Sequence, residues 1–434
     1  VVGDPDVLIE EVVMDSRSAR PGSLFVAIRG GHAHVAAAVA AGASAVLVSE
    51  GSHAGPVVLE APDTIAALQA IGRANRAAAD RCTVVAVTGS SGKTSTKDVL
   101  AAICAPQRAT VAALEGHNNE IGLPFTLTRI ERVTELAICE LSMRGAGQIA
   151  ELAALACPQV AVITNVGEAH LELLGSREAI AAAKAEVLDG VELAVLPADE
   201  PLLAAHVPGG LAVVTFGEER SADVRIVERA VRADGMSVVL DVQGTRVAIE
   251  SALVGAHHAR NLAAAFAVAS HLGLDLARCA DAAPSISLQR WRSEPHPLPG
   301  GGVVVNDAYN ANPSATVAAL AALAERGSGR LVAVLGPMAE LGPSAPAYHR
   351  RVGEAARALG FAVIVAVGDG AREYLEGAGD GVAGIVVGDG EALVERLAAL
   401  VQPGDRVLVK ASRSIGLERV AKDLSAALAK VSAT

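Results

Sequence analysis

Residues 83–97, Thr-Val-Val-Ala-Val-Thr-Gly-Ser-Ser-Gly-Lys-Thr-Ser-Thr-Lys, leave this chain few ways to fold. The apolar run over 83–87 has the length and β-branched content of a buried strand. Gly89, Ser90, Ser91 and Gly92 cut it off, and Lys93, Thr94 and Ser95 open a helix-compatible segment reaching residue 104. A strand, turn and helix in that order bring backbone N–H donors and the positive end of a helix to one point. Lys93 adds a full charge, and the Thr94 hydroxyl is a magnesium ligand type. A nucleoside triphosphate fits such a cradle. The motif is shortened, because Val87 stands where the usual loop begins with glycine; the flanking strand and helix therefore carry the reading against a plain tight turn with a solvated lysine.

The rest of the chain bounds what surrounds the cradle. At 434 residues two or three units are expected, and a net charge of −12 argues against a general polyanion binder, so phosphate binding must be local. The five cysteines are scattered without metal-type spacing, as in a reducing compartment. No stretch is long and apolar enough for a bilayer span and no signal pattern opens the chain, so a soluble, cytoplasmic protein without nucleic-acid or membrane partners is expected, most simply a monomer. Only six lysines accompany thirty arginines, which makes an internal lysine a chemical question, above all at Lys93 and Lys184.

Taken in order, the pattern is α/β in three domains. Residues 1–80 read as a small N-terminal α/β module, with strands over 24–28 and 45–48 and a helix over 34–41. Its Asp15, Ser16 and Arg17 are either a surface turn or a hydroxyl and guanidinium set for a sugar diphosphate. Residues 81–294 read as a central P-loop-type parallel-sheet domain with a β-rich extension from about 191 to 250. Asn118 and Asn119 present amides to a substrate or form an Asx turn. Glu140 ends a buried strand over 136–140, where a carboxylate emerges at the ligand edge of a parallel sheet. His170 follows another strand, over 160–164, and is structural or a ligand with equal weight. Lys184 lies on an alanine-rich helix over 176–188, where composition alone favours a snorkelling surface lysine. His257, His258 and Asn261 start a helix over 257–272, and Ser287 to Glu294 suggests a hinge holding Arg290, Trp291 and Arg292. Pro295 to Gly302 reads as a linker. Residues 295–434 alternate strands and helices as a Rossmann-like doubly wound domain, with loops at 306–313 and 410–414 on its ligand edge.

The ordered set Thr88-Gly-Ser-Ser-Gly-Lys-Thr94, Asn118-Asn119-Glu-Ile-Gly122, Glu140, Asn165-Val-Gly-Glu-Ala-His170, Lys184, His258 with Asn261, and Asp307-Ala-Tyr-Asn-Ala-Asn-Pro313 resembles the Mur ligases of bacterial cell-wall synthesis across nearly the whole chain. Tyr309 to Pro313, with Asp15 to Arg17 and Ser412-Arg413-Ser414, resembles the branch that joins D-alanyl-D-alanine to UDP-N-acetylmuramoyl-tripeptide. The resemblance implies an ATP-dependent amide ligase: a UDP-sugar domain, a central ATP and Mg2+ domain, and a C-terminal domain for the amine. It implies ATP contacts from Gly89 to Ser95, Asn261 and Asn310, with Arg292, chosen over Arg290 by spacing, and Asp307 closing on the γ-phosphate. Thr94 and Glu140 would hold one magnesium, and His170 with a carbamylated Lys184 a second. Asp15, Ser16, Arg17, Asn118, Asn119, Ser412 and Arg413 are the implied substrate contacts. The chain departs from the family pattern in a short segment between Gly30 and His34, a shortened Asn118 loop, and Pro337 in place of an aspartate. Ligases that add a single amino acid, folylpolyglutamate-type ligases, and a non-catalytic nucleotide-binding relative are the rival readings.

Overall fold

The computed structural model describes residues 1–49, 55–232, 234–388 and 392–431. Their strands form three sheets, mostly parallel, each sandwiched by helices. This layering follows from the strands themselves: Val84 to Val87, Leu136 to Cys139 and Val160 to Ile163 are apolar on both faces and at most 1 % exposed, which only a doubly covered sheet permits.

The N-terminal sheet has the order Val2–Gly3, Val57–Glu60, Ala45–Val48, Ser23–Val26, Glu11–Val13. The helix Thr64–Ala78 follows it in the chain but packs on the central sheet's Gly122–Thr128 helix. Gly72 makes that approach possible, since an added Cβ would stand 2.8 Å from the carbonyl oxygen of Pro124. Buried Arg76 fastens the helix end, donating to the carbonyls of Ala156 at 3.0 Å and Cys157 at 3.1 Å.

The nine-stranded central sheet places Thr83–Thr88 between Val160–Ile163 and Leu136–Glu140. The β-rich extension is the same sheet continued: Leu193–Pro197 and Ala212–Gly217 add in parallel, then Val224–Arg232, Gly235–Val242 and Thr245–Ser251 finish it as an antiparallel meander. The helix Ala256–His271 covers it with the buried face of Leu262, Phe266 and Val268.

Pro295 to Gly302, expected as a linker, begins instead as the strand Glu294–Pro297, antiparallel to Val303–Asn306 at the edge of the C-terminal sheet. An edge strand tolerates the proline because a proline lacks only the N–H that an edge leaves unpaired. The remaining strands of that sheet, Leu331–Leu335, Val363–Val367, Ala383–Val387 and Arg406–Lys410, pair in parallel as the doubly wound pattern requires. No helix of the described residues is long and apolar enough to cross a membrane.

Candidate active site

The cradle is built by mutual support between two strand ends. Gly89 has φ 144° and lies so close to Thr164 that a Cβ would collide with its Oγ1. Thr164 Oγ1 donates to the Ser91 carbonyl at 2.5 Å, while the Asn165 side chain accepts from Ser91 N–H at 3.0 Å and donates to Ser91 Oγ at 2.9 Å. Ser90 Oγ accepts from Gly167 N–H at 2.8 Å. The loop after Val160–Ile163 therefore fixes the phosphate turn; Asn165 and Gly167 are supports that sequence reasoning quoted only as part of a string. Gly92, at φ 77°, caps Lys93–Cys104, and buried Thr94 and Ser95 sit in its first turn. Lys93 Nζ donates to the Gly89 carbonyl at 2.8 Å. Burial pushes its amine pKa down and Arg292 adds to this, while Glu140 opposes them.

The register Val87↔Glu140 brings the acid level with the turn. Glu140 is buried, and its Oε1 accepts from Asn118 Nδ2 at 2.8 Å. Asn118 thus meets the acid, whereas Asn119 takes the Asx-turn alternative, its Oδ1 accepting from Ile121 and Gly122 N–H at 3.2 and 3.0 Å.

Lys184 is not a snorkelling surface side chain: it is 1 % exposed on the helix Arg177–Ala185, and among the described residues its amine has no hydrogen-bond or ion-pair partner. Burial, then the charge of Lys93, hold its pKa well below the ordinary lysine value. His170 lies close enough to both lysines for each to depress its own pKa, after burial and against the pull of Glu340. Both shifts enlarge the share of the neutral forms, the imidazole able to ligate a cation and the amine able to react with carbon dioxide.

A cavity of about 210 Å³ opens over the cradle, lined by Lys93, Glu140, His170, Asn261, Arg292 and Tyr309 among others. Four buried nitrogens around it, His257 Nδ1, His258 Nδ1, Asn261 Nδ2 and Arg292 Nε, have no hydrogen-bond partner among the described residues. Burial drives both imidazoles towards the neutral form, His257 down to about 4 and His258 well below its usual value. Unpaired buried polar groups cost stability, so their concentration here marks a place for a polar ligand. Arg292 stacks on the Tyr309 ring at 4.0 Å. Asp307, expected over a phosphate, is held by Lys410 Nζ at 2.5 Å and Ser293 N–H at 3.0 Å, and Lys410 is a buried lysine that the composition argument passed over.

A second cavity, about 830 Å³, lies where the three sheets meet. Arg29 reaches it from the first, Asn118, Asn119 and Arg144 from the second, and Asn310, Glu340, Ser412 and Arg413 from the third. Asn118, His170, Tyr309 and Asn310 line both cavities. Asp15, Ser16 and Arg17 line neither: Arg17 is exposed and grips Asp15, whose carboxyl falls to about 2 through that hydrogen bond. The C-terminal side is drawn onto the central one by Asn312 Nδ2 on the Ser90 carbonyl at 3.5 Å, Arg351 on Glu168 at 3.1 Å, and Arg229 on Glu325.

A phosphate turn with an acid beside it, joined through shared residues to a larger cleft under a second parallel sheet, defines a nucleotide-dependent ligase of the Mur type. Comparison with known proteins agrees: the Mur ligase middle domain matches residues 87–269, and the Mur ligase glutamate ligase domain matches 291–413. The chain belongs to the Mur ligase family. It is 38 % identical to the UDP-N-acetylmuramoyl-tripeptide–D-alanyl-D-alanine ligase of Mycobacterium tuberculosis strain H37Rv, covering 96 % of this chain and 92 % of that one. The ligase of that name from Escherichia coli K12 is 33 % identical over 96 % of this chain and 94 % of its own. The crystal structure of MurF from Thermotoga maritima in complex with ADP superimposes with a TM-score of 0.84 at 27 % identity, covering 99 % of this chain and all of that one. MurF from Acinetobacter baumannii gives a TM-score of 0.85 at 28 % identity, covering 96 % and 94 %.

Proposed function

We propose that the chain joins D-alanyl-D-alanine to UDP-N-acetylmuramoyl-tripeptide, converting ATP to ADP and phosphate in the assembly of peptidoglycan precursors. The observation that carries this reading is the junction of the two cavities at Asn118, His170, Tyr309 and Asn310, which lets a nucleotide in one meet a peptide carboxylate in the other. A carboxylate resists amines because it is anionic and lacks a leaving group. The γ-phosphoryl group passes to it, giving an acyl phosphate; the dipeptide amine attacks the acyl carbon, phosphate departs, and the amine loses a proton. Lys93 and Arg292 offset the repulsion between γ-phosphate and carboxylate, and Asn118 holds the Glu140 carboxylate in place.

Magnesium supplies further neutralisation of the phosphate charge. The donor set suits it. Among the described residues no three His, Cys, Asp or Glu side chains cluster as a metal cage, and magnesium is commonly held by one or two carboxylates together with phosphate oxygens and water. We assign Thr94 and Glu140 to one ion and His170 with Lys184 to another, Lys184 after its neutral amine has added to carbon dioxide and released a proton. An unpartnered buried amine is the environment in which that carbamate replaces an unfavourable group by one with a cationic partner. Asn261, Asn310 and the cradle residues Gly89 to Ser95 hold the nucleotide; Ser412 and Arg413 hold the substrates, together with Asn119 through the amide nitrogen that its turn does not use. The domains divide at residues 1–80, 81–294 and 295–434, and the reaction belongs to a cytoplasmic monomer.

The test incubates protein, ATP, Mg2+ and UDP-N-acetylmuramoyl-tripeptide with a panel of amines. Phosphate release that depends on D-alanyl-D-alanine supports the reading. Release with a single amino acid, or with glutamate on a folate, moves the chain to a sister activity.

A further inference from the structure

Glu340 lies between the strand Leu331–Leu335 and the short turn of helix Gly342–Ser344, with a left-handed φ of 61°. It meets the central domain three times. Its carbonyl accepts from Glu172 N–H at 3.1 Å, its Oε1 stands 3.8 Å from Arg144 Nε, and its Oε2 is 2.5 Å from His170 Nδ1. His170 is itself left-handed, at φ 65°, at the start of Leu171–Leu174. Two non-glycine residues in this region face one another across the interface, and such conformations persist where the surroundings over-determine them. A ring whose Nδ1–H is held by a carboxylate keeps its lone pair on Nε2, with the ring plane fixed. His170 lines both cavities, so a fixed ring serves the junction where the substrates meet.

We propose that Glu340, a residue of the C-terminal domain, is the positioning residue that orients the His170 imidazole towards the divalent-cation site of the central domain. The proposal rests on the reading of His170 as a cation ligand. Because donor and acceptor belong to different domains, bringing the amine-carrying domain into place also completes the setting of a cation ligand. ATP is then best primed for transfer when the acceptor side is closed over it.

The test titrates Mn2+ into the full chain with ADP, following bound ion by electron paramagnetic resonance, in wild type, E340A, E340Q and H170A. E340A is expected to weaken one Mn2+ by about ten- to a hundredfold, the usual effect of removing a ring-orienting carboxylate, and to spare the other. E340Q, whose amide oxygen still accepts from Nδ1–H, stays near wild type. The downfield proton resonance of that N–H, present in wild type, disappears in E340A. Unchanged Mn2+ affinities in E340A, or an E340Q as weak as E340A, overturn the proposal; E340M repeats the test should E340A lose its fold. H170A separates the two levels. If it keeps both ions, the ligand reading itself fails; if it loses one while E340A keeps both, the ligand reading stands and the role of Glu340 does not.

Discussion

Replacing Lys184 with methionine tests the site where sequence and structure press hardest on one atom. The two side chains are similar in length, so the helix Arg177–Ala185 keeps its packing while an amine without a partner leaves the core. In the folded chain that amine titrates well below its value of 10.5 in the unfolded one. At pH values between the two the unfolded chain carries the extra proton, so stability from this group is complete above about pH 10.5 and is lost as pH falls towards the folded pKa. One proton of difference corresponds to about 1.4 kcal/mol per pH unit. The unfolding free energy of wild type minus that of K184M should therefore rise with pH, at up to that slope, until it levels off near pH 10.5. Urea unfolding in carbon-dioxide-free buffers, followed through the transition of the central domain, measures it. Added bicarbonate should then stabilise wild type and leave K184M unmoved, because only a lysine forms the carbamate that binds preferentially in the native state. A difference that stays flat across the pH range would mean the amine is charged and compensated in the fold, and the case for its modification would fall with it.

Lys93→Met should lower phosphate release by about a hundredfold or more with an unchanged melting temperature, since the side chain serves a phosphate and not the core; near-normal turnover would remove it from the mechanism. Gly89→Ala should cost about 1–3 kcal/mol in thermal or urea unfolding, because the alanine must take a φ suited to glycine and displace Thr164; an unshifted transition would show the turn to be pliable. Arg229→Glu and Glu325→Arg should each raise KM for the amine about fivefold, equivalent to a well-made, partly buried ion pair of about 1 kcal/mol, and the double exchange should restore it. Simple additivity of the two losses would show that this pair does not hold the domains together.

Much of the fold was legible because its strands are short apolar runs closed by glycine or by a charge. Leu136–Glu140 begins and ends where the sequence pattern places it, and so does Ala45–Val48. The helix Thr64–Ala78 carries little apolar signal, because nine of its fifteen residues are alanine, glycine or arginine, and what holds it is Gly72 and Arg76 docking on a different domain. Edge strand Glu294–Pro297 was read as a linker, since two prolines hide a strand that pairs on one side only. At the site, Glu140 was visible as a polar residue ending a buried strand, and His170 as one in the loop that follows another. Glu340 was not, because a lone glutamate in a glycine-rich turn carries no local signal and acquires its partner only from the other domain. Lys410 had a signal that went unused: it closes an apolar strand in a chain poor in lysine.

The anchoring of Thr64–Ala78 has a consequence for how the three sheets hold together. That helix welds the N-terminal sheet to the nucleotide-bearing one through backbone contact at Gly72 and the carbonyls held by Arg76. The C-terminal sheet, by contrast, is pinned to the central one mainly by side-chain contacts such as Arg351–Glu168 and Arg229–Glu325. Two thirds of the residues thus form one unit clamped backbone to backbone, and the remaining third is buttoned to it chiefly by charged side chains, the seam that salt would loosen first.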